Sequence, residues 1–109
     1  EMAILLRLIW RDEAGPAEAC AQVRQMMARQ VTRQWLALGF PRAGVQVAAK
    51  SGSLLGVIRN EVGVITLPGV HRCAVAVFTR ADRPYQNEHE INAAIGASAA
   101  QAVESLRHR

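Results

Sequence analysis

Lys50, Ser51, Gly52 and Ser53 follow one another at the end of the run VQVAAKSGS, and Lys50 is the only lysine among 13 basic residues. These residue types have a joint chemistry. An ammonium on a rigid strand is a fixed positive charge that steers a substrate carboxylate and keeps a neighbouring hydroxyl ready to pass protons. Ser51 adds a hydroxyl donor for the same carboxylate. Gly52 lets a substrate approach the main chain with no side chain in the way. The plainer reading is a strand running into a polar turn, and the rest of the sequence has to decide between the two.

Other candidates for chemistry are weaker. His71, Cys73 and His89 do not supply three or four ligands at a recognisable metal-site spacing, so neither a metal nor a cofactor is expected. Glu61, next to Asn60, reads as a surface charge rather than a catalytic base. Cys20 falls on an apolar helical stripe and Cys73 opens an apolar strand, which makes both buried free thiols with no disulfide between them.

Composition narrows the class. The chain has 109 residues, half of them hydrophobic, which is enough for one core and too apolar for a disordered segment. The net charge is +4, but the arginines are scattered and no aromatic platform accompanies them, so nucleic acid is not the expected partner. The most apolar stretch, Met2 to Trp10, is interrupted by Arg7 and is far shorter than the ~20 residues a bilayer requires. It lacks the features of a signal peptide. The chain opens on Glu1, inside what reads as a helix, as expected of a processed chain or a fragment.

The elements that must position Lys50 to Ser53 follow from periodicity. Residues 1–33 hold two helices: an apolar one from Glu1 to Arg11, and a second after Gly15-Pro16 to about Thr32. The second has apolar positions at Ala19, Cys20, Val23, Met26, Met27 and Val31, and the Met pair reads as core filling. LGFPRAG is a loop. Residues 45–79 hold three strand signals, Val45 to Ser53, Arg59 to Leu67 and Arg72 to Thr79, the last two joined by a Pro68-Gly69 turn. A terminal helix spans 87–107, with Asn87 as cap and Ile91, Ala94, Ile95, Ser98, Ala102 and Leu106 expected on its buried face. The fold class is α+β, an antiparallel sheet packed by helices.

In that setting the residues resemble a known family. The two helices, LGFP, VAAKSGS, RNEVGVI, AVAVFT and the closing helix fall in the order of the C-terminal portion of class A β-lactamases and related penicillin-recognising serine hydrolases. Of the family's signatures, Ser-x-x-Lys, Ser-Asp-Asn and Lys-Thr/Ser-Gly, only the last is present, as Lys50-Ser51-Gly52. The resemblance implies that Lys50 and Ser53 are catalytic. Ser53 acts through its main-chain N–H, which on an edge strand faces outward and forms half of an oxyanion hole. It implies that Ser51, Gly52 and Arg59 bind substrate, although Arg59 is equally well an ordinary arginine at a strand entrance. Two positions depart from many lactamases of the family: Ala49 stands where they have aspartate, and Leu54-Leu55 where they have glycine and polar residues.

No serine here begins Ser-x-x-Lys, because Val47 stands at the required place before the sole lysine. The chain therefore brings no nucleophile. The resemblance implies a β-lactam or related acyl substrate, and a nucleophile from an N-terminal segment of the same protein or from a second chain. It also implies a periplasmic or secreted bacterial location. The apolar strand Arg72 to Thr79 would then be an inner strand, covered by a strand from that other segment. A D-alanyl-D-alanine peptidase or esterase of the same fold remains an alternative, as does a non-catalytic α+β binding module.

Overall fold

The computed structural model describes residues 1–30, 36–41, 44–69 and 71–107. Its elements are α1 (Met2–Trp10), α2 (Ala17–Ala28), a short 3-10 helix η1 (Leu36–Gly39), β1 (Gln46–Leu54), β2 (Ile58–Leu67), β3 (His71–Arg80) and α3 (Glu88–Arg107). The strands form one antiparallel sheet in the order β1-β2-β3, with Lys50 opposite Val62, Ser53 opposite Arg59 and Val64 opposite Ala74.

Strand alternation sorts the core onto two faces. One face carries Val47, Ala49, Ile65 and Val75, packed with Leu36 of η1 and with Ile95, Ala99 and Val103 of α3. The opposite face presents Val64, against which Leu6 of α1 and Met27 of α2 pack, with Ala48, Val62 and Ala74 around them. Helices thus cover both faces of the sheet, as an α+β layer requires.

The strands form where alternation and β-branched content demand them, each within a residue or two of the sequence expectation. Turn chemistry fixes the register. Gly69 takes φ +90 after Pro68. Between β1 and β2 the chain turns through Leu55 (φ 54) and Gly56 (φ +69). The second of these turns is clamped from above. Gly56 O accepts from Tyr85 N at 3.0 Å, and Val57 O accepts from Ala81 N at 2.7 Å. A Cβ at Gly56 would lie 2.8 Å from the Tyr85 ring, so glycine is required there for space as well as for φ.

The helices differ from expectation in instructive ways. α3 buries Asn92, Ile95, Ala99 and Val103, with Ile91 partly buried, whereas Ala94, Ser98, Ala102 and Leu106 are exposed. The expected face was rotated by about one residue, because a helix this rich in alanine gives little apolar contrast to locate its stripe. The true stripe is where α3 crosses η1 most closely: a Cβ at Gly39 would stand 2.0 Å from Gly96 O. In α2, Cys20 and Met27 are buried but Met26 is 66% exposed and Ala19 is also exposed, so only half of the methionine pair fills the core. The helix ends at Ala28; Val31 and Thr32, expected in its last turn, lie outside the described residues. Pro16 is the cap residue of α2 rather than part of its first turn.

Glu61 corrects a second expectation. It is 1% exposed, not a surface charge, and its Oε1 accepts the Leu36 N–H at 3.2 Å. A carboxylate taken from water must find hydrogen-bond partners, and here one partner is the first backbone amide of η1. β3 lies at one end of this sheet and β1 at the other. Large apolar side chains remain exposed around the β3 end, including Phe78 of β3 and Met2, Ile4 and Leu5 of α1. Cys20 and Cys73 are free thiols, Cys20 buried on α2 as expected, whereas Cys73 is only partly buried among the residues that pack beneath α3.

Candidate active site

β1 is an edge strand, so alternate residues along it point their N–H and C=O groups away from β2. Ser51 is one of these. Its N–H donates to Gln30 Oε1 at 2.6 Å, and its carbonyl accepts from Lys50 Nζ. Both of its main-chain groups are therefore engaged on the outer side, and by the period of two the N–H of Ser53 faces the same outer edge. Gly52, between them, is open: a Cβ built there would meet nothing within 4 Å.

Side chains alternate across the same strand. Lys50 is exposed and shares the face of Ala48, the side on which α1 and α2 pack. Ser51 and Ser53 share the face of Ala49 and stand across from Glu61 and Arg59 in the register. The strand thus sends the Lys50 side chain to one side of the sheet and its two hydroxyls to the other, and the Lys50 ammonium folds back to the rim between them, where it donates to the outward Ser51 carbonyl.

Arg59 is fixed by the start of α3. Its Nη1 donates to Asn92 Oδ1 at 2.7 Å and to the Glu88 carbonyl at 3.3 Å, and its Nη2 pairs with Glu88 Oε1 at 2.9 Å. The side chain is only 12% exposed, which makes the hydrogen bonds as important as the ion pair. On the other side of β2, Asn60 Oδ1 accepts the Thr79 N–H at 3.1 Å and Thr79 Oγ1 donates to the Arg59 carbonyl, which locks β3 to β2 at this level.

The structure therefore brings Lys50, Ser51, Gly52, Ser53 and Arg59 to one corner of the sheet. It adds three residues that sequence reading missed: Gln30, Glu88 and Asn92. Asn92 left a trace in the sequence, as the one polar residue on the stripe that also holds Ile95, Ala99 and Val103. Gln30 left none, since nothing local marks the residue after a helix as the partner of a strand amide. Among the described residues no group of His, Cys, Asp and Glu is assembled to hold a metal ion.

A sequence model described as the Beta-lactamase enzyme family matches residues 1–106. The chain belongs to that family. A beta-lactamase regulatory protein, BlaB of Streptomyces cacaoi, is 33% identical over 98 residues, which is 90% of this chain and 30% of that protein. The crystal structure of a beta-lactamase from Sphaerobacter thermophilus is 27% identical, with a TM-score of 0.81, covering 99% of this chain and 40% of the other. A class A beta-lactamase from Mycobacterium abscessus shares the fold at a TM-score of 0.82 and 23% identity, over 96% of this chain and 40% of the other. The α+β layer is thus the β-lactamase-like fold, and the chain spans 30% of the curated relative and 40% of these solved structures. Among the described residues no helix is long and apolar enough to cross a membrane.

Proposed function

We propose that this chain is the part of a β-lactamase-type serine hydrolase that binds the substrate carboxylate and supplies half of the oxyanion hole. The nucleophilic serine comes from an N-terminal segment of the same protein or from a second chain, in a periplasmic or secreted protein. The observation that carries the reading is the outward orientation of the β1 rim. Ser51 faces out on both its N–H and its carbonyl, and Ser53 follows in the same phase. Lys50 and the Ser51 hydroxyl then attract the carboxylate, Arg59, held by Glu88 and Asn92, lines the same corner across from Ser53, and the Ser53 N–H donates to the developing oxyanion of the acyl carbonyl. Acyl-enzyme formation and its hydrolysis by water follow on the serine supplied from outside this chain.

The same reading assigns an occupant to the free end of the sheet. An apolar strand with Phe78 exposed, beside an α1 that exposes Met2, Ile4 and Leu5, is a surface that soluble chains keep covered. A strand of the N-terminal segment pairing with β3 covers it, and the serine reaches Lys50 from another part of that segment, at the opposite edge of the sheet.

The test is steady-state hydrolysis of a chromogenic cephalosporin by the full-length protein. Lys50→Ala lowers the acylation rate by about a hundredfold or more, the usual loss for one charge or oxyanion contact. Ser51→Ala chiefly weakens substrates that carry a carboxylate. Unchanged kinetics for Lys50→Ala would remove the assignment.

A second reading, acylation by a β-lactam or a peptide-like ligand without efficient turnover, is favoured by two observations. Leu54 and Leu55, directly after Ser53, are 56% and 73% exposed and make the rim apolar. The curated relative at 33% identity is named as a regulatory protein rather than as a hydrolase. A stoichiometric burst with no steady-state rate would decide for this reading.

A further inference from the structure

We propose that Gln30 is a specificity-determining stop on the β1 rim, closing the Ser51 N–H so that an edge-bound ligand is confined to the Ser53 position. The proposal deepens the acyl-ligand reading above and rests on it for the ligand's class.

An edge strand offers an added chain its outward N–H and C=O groups, residue by alternate residue. On β1 those groups belong to Ser51 and Ser53, about 7 Å apart. At Ser51 the offer is already taken on both counts, the N–H by Gln30 Oε1 at 2.6 Å and the carbonyl by Lys50 Nζ. A ligand main chain pairing at Ser53 and continuing towards Lys50 therefore meets two occupied groups. It has room for one further residue and must end there. A ligand that ends in a carboxylate beside the Ser51 hydroxyl and the Lys50 ammonium satisfies this, and one whose chain runs on past Ser51 has to displace the Gln30 amide.

Gln30 is held in place to do this. Its own N–H donates to Met27 O at 3.4 Å, continuing the last turn of α2. Met27 is buried in the cluster with Leu6 and Val64, so the end of α2 is anchored to the face of the sheet beside β1. Gln30 itself is half-buried. Its side chain is long enough to leave the helix face and reach the rim, and an amide oxygen accepts from an N–H without placing a second charge beside Lys50. A glutamate would make the same hydrogen bond but would set a negative charge where a ligand carboxylate has to come.

The experiment uses the full-length protein and reads the Ser51 and Ser53 amides by NMR. Hydrogen exchange at Ser51 rises at least tenfold in Gln30→Leu and in the shorter Gln30→Asn, and stays at the wild-type rate in Gln30→Glu. Should Gln30→Leu fail to fold, Gln30→Asn gives the same readout. Ser51 protection that survives both variants overturns the proposal whatever the protein's activity, which keeps this test separate from that of the hydrolase reading. The second arm titrates a short acyl peptide ending in a free carboxylate, and the same peptide extended by two residues. Wild type binds the first at least tenfold more tightly, with the larger shift at the Ser53 amide and the Ser51 amide still protected from exchange. Gln30→Leu narrows that ratio to within about threefold and shifts Ser51 as well. An unchanged ratio, or no binding of either peptide to any variant, overturns the role of Gln30 as a stop.

Discussion

Arg59 on β2 and Asn92 on α3 meet at 2.7 Å, the guanidinium Nη1 donating to the amide Oδ1. Through this contact the first turns of α3 are tied to the strand position directly across from Ser53. Removing either partner leaves the other half of a well-shielded, charge-assisted hydrogen bond. Asn92→Ala is expected to cost about 1.5–3 kcal/mol, the range for hydrogen bonds to charged groups. Glu88→Ala removes a carboxylate that is about half exposed, and a surface ion pair of that kind is worth less than ~1 kcal/mol. Urea denaturation of both variants checks the ordering, and equal losses would contradict it.

Glu61 supports η1 from beneath. Replacing it with leucine takes the acceptor from the Leu36 N–H in a buried site, at a cost of about 1–3 kcal/mol. Glu61→Gln keeps an oxygen for that amide and is expected to be the more stable of the two. Chemical denaturation again measures it. A leucine variant as stable as the glutamine variant would show that the Leu36 hydrogen bond contributes nothing.

The crossing of η1 and α3 leaves no space at Gly39. A methyl group there would press on the Gly96 backbone, which cannot swing aside as a side chain would. Gly39→Ala is expected to destabilise by at least the ~1–3 kcal/mol typical of overpacking. Gly15→Ala, where a Cβ meets nothing within 4 Å, serves as the neutral control. Thermal melts of the two variants separate the effects, and a Gly39→Ala melt equal to that of the control would refute the close approach.

Cys20 and Cys73 are expected to remain reduced in solution. Cys73 packs among the residues under α3, while Cys20 is buried on α2, its Sγ 3.8 Å from the Gly15 carbonyl. The sheet stands between them, and a disulfide needs Cα atoms within about 7 Å. Thiol titration of the denatured, unreduced protein should find two free thiols per chain.

Much of this architecture can be read from residue order. The strands are legible because Val, Ile and Thr alternate with smaller or polar residues and because Pro68-Gly69 can only be a turn there. The corner holding Lys50 to Ser53 is legible as a motif, since the sole lysine of the chain falls in it. What periodicity does not reveal is anything decided by tertiary contact. In α3 the alanines on every side make Ala94 and Ala99 indistinguishable until η1 is in place. Glu61 looks like a surface charge because its burial depends on the Leu36 amide, far along the chain. The role of Gln30 depends on where the end of α2 lies over β1, a matter of packing that no local pattern encodes.

The order β1-β2-β3 is also the order of synthesis, and that has a kinetic consequence. Each strand pairs with its neighbour in the chain across a short turn, so neither pairing waits on a long crossover, and small loops cost little entropy to close. The pairing that sets Lys50 and Ser53 against β2 is made by closure of the first of these hairpins, and the docking of α3 then fixes the Arg59 side chain. The speed with which that pairing forms is therefore set at the Leu55-Gly56 turn.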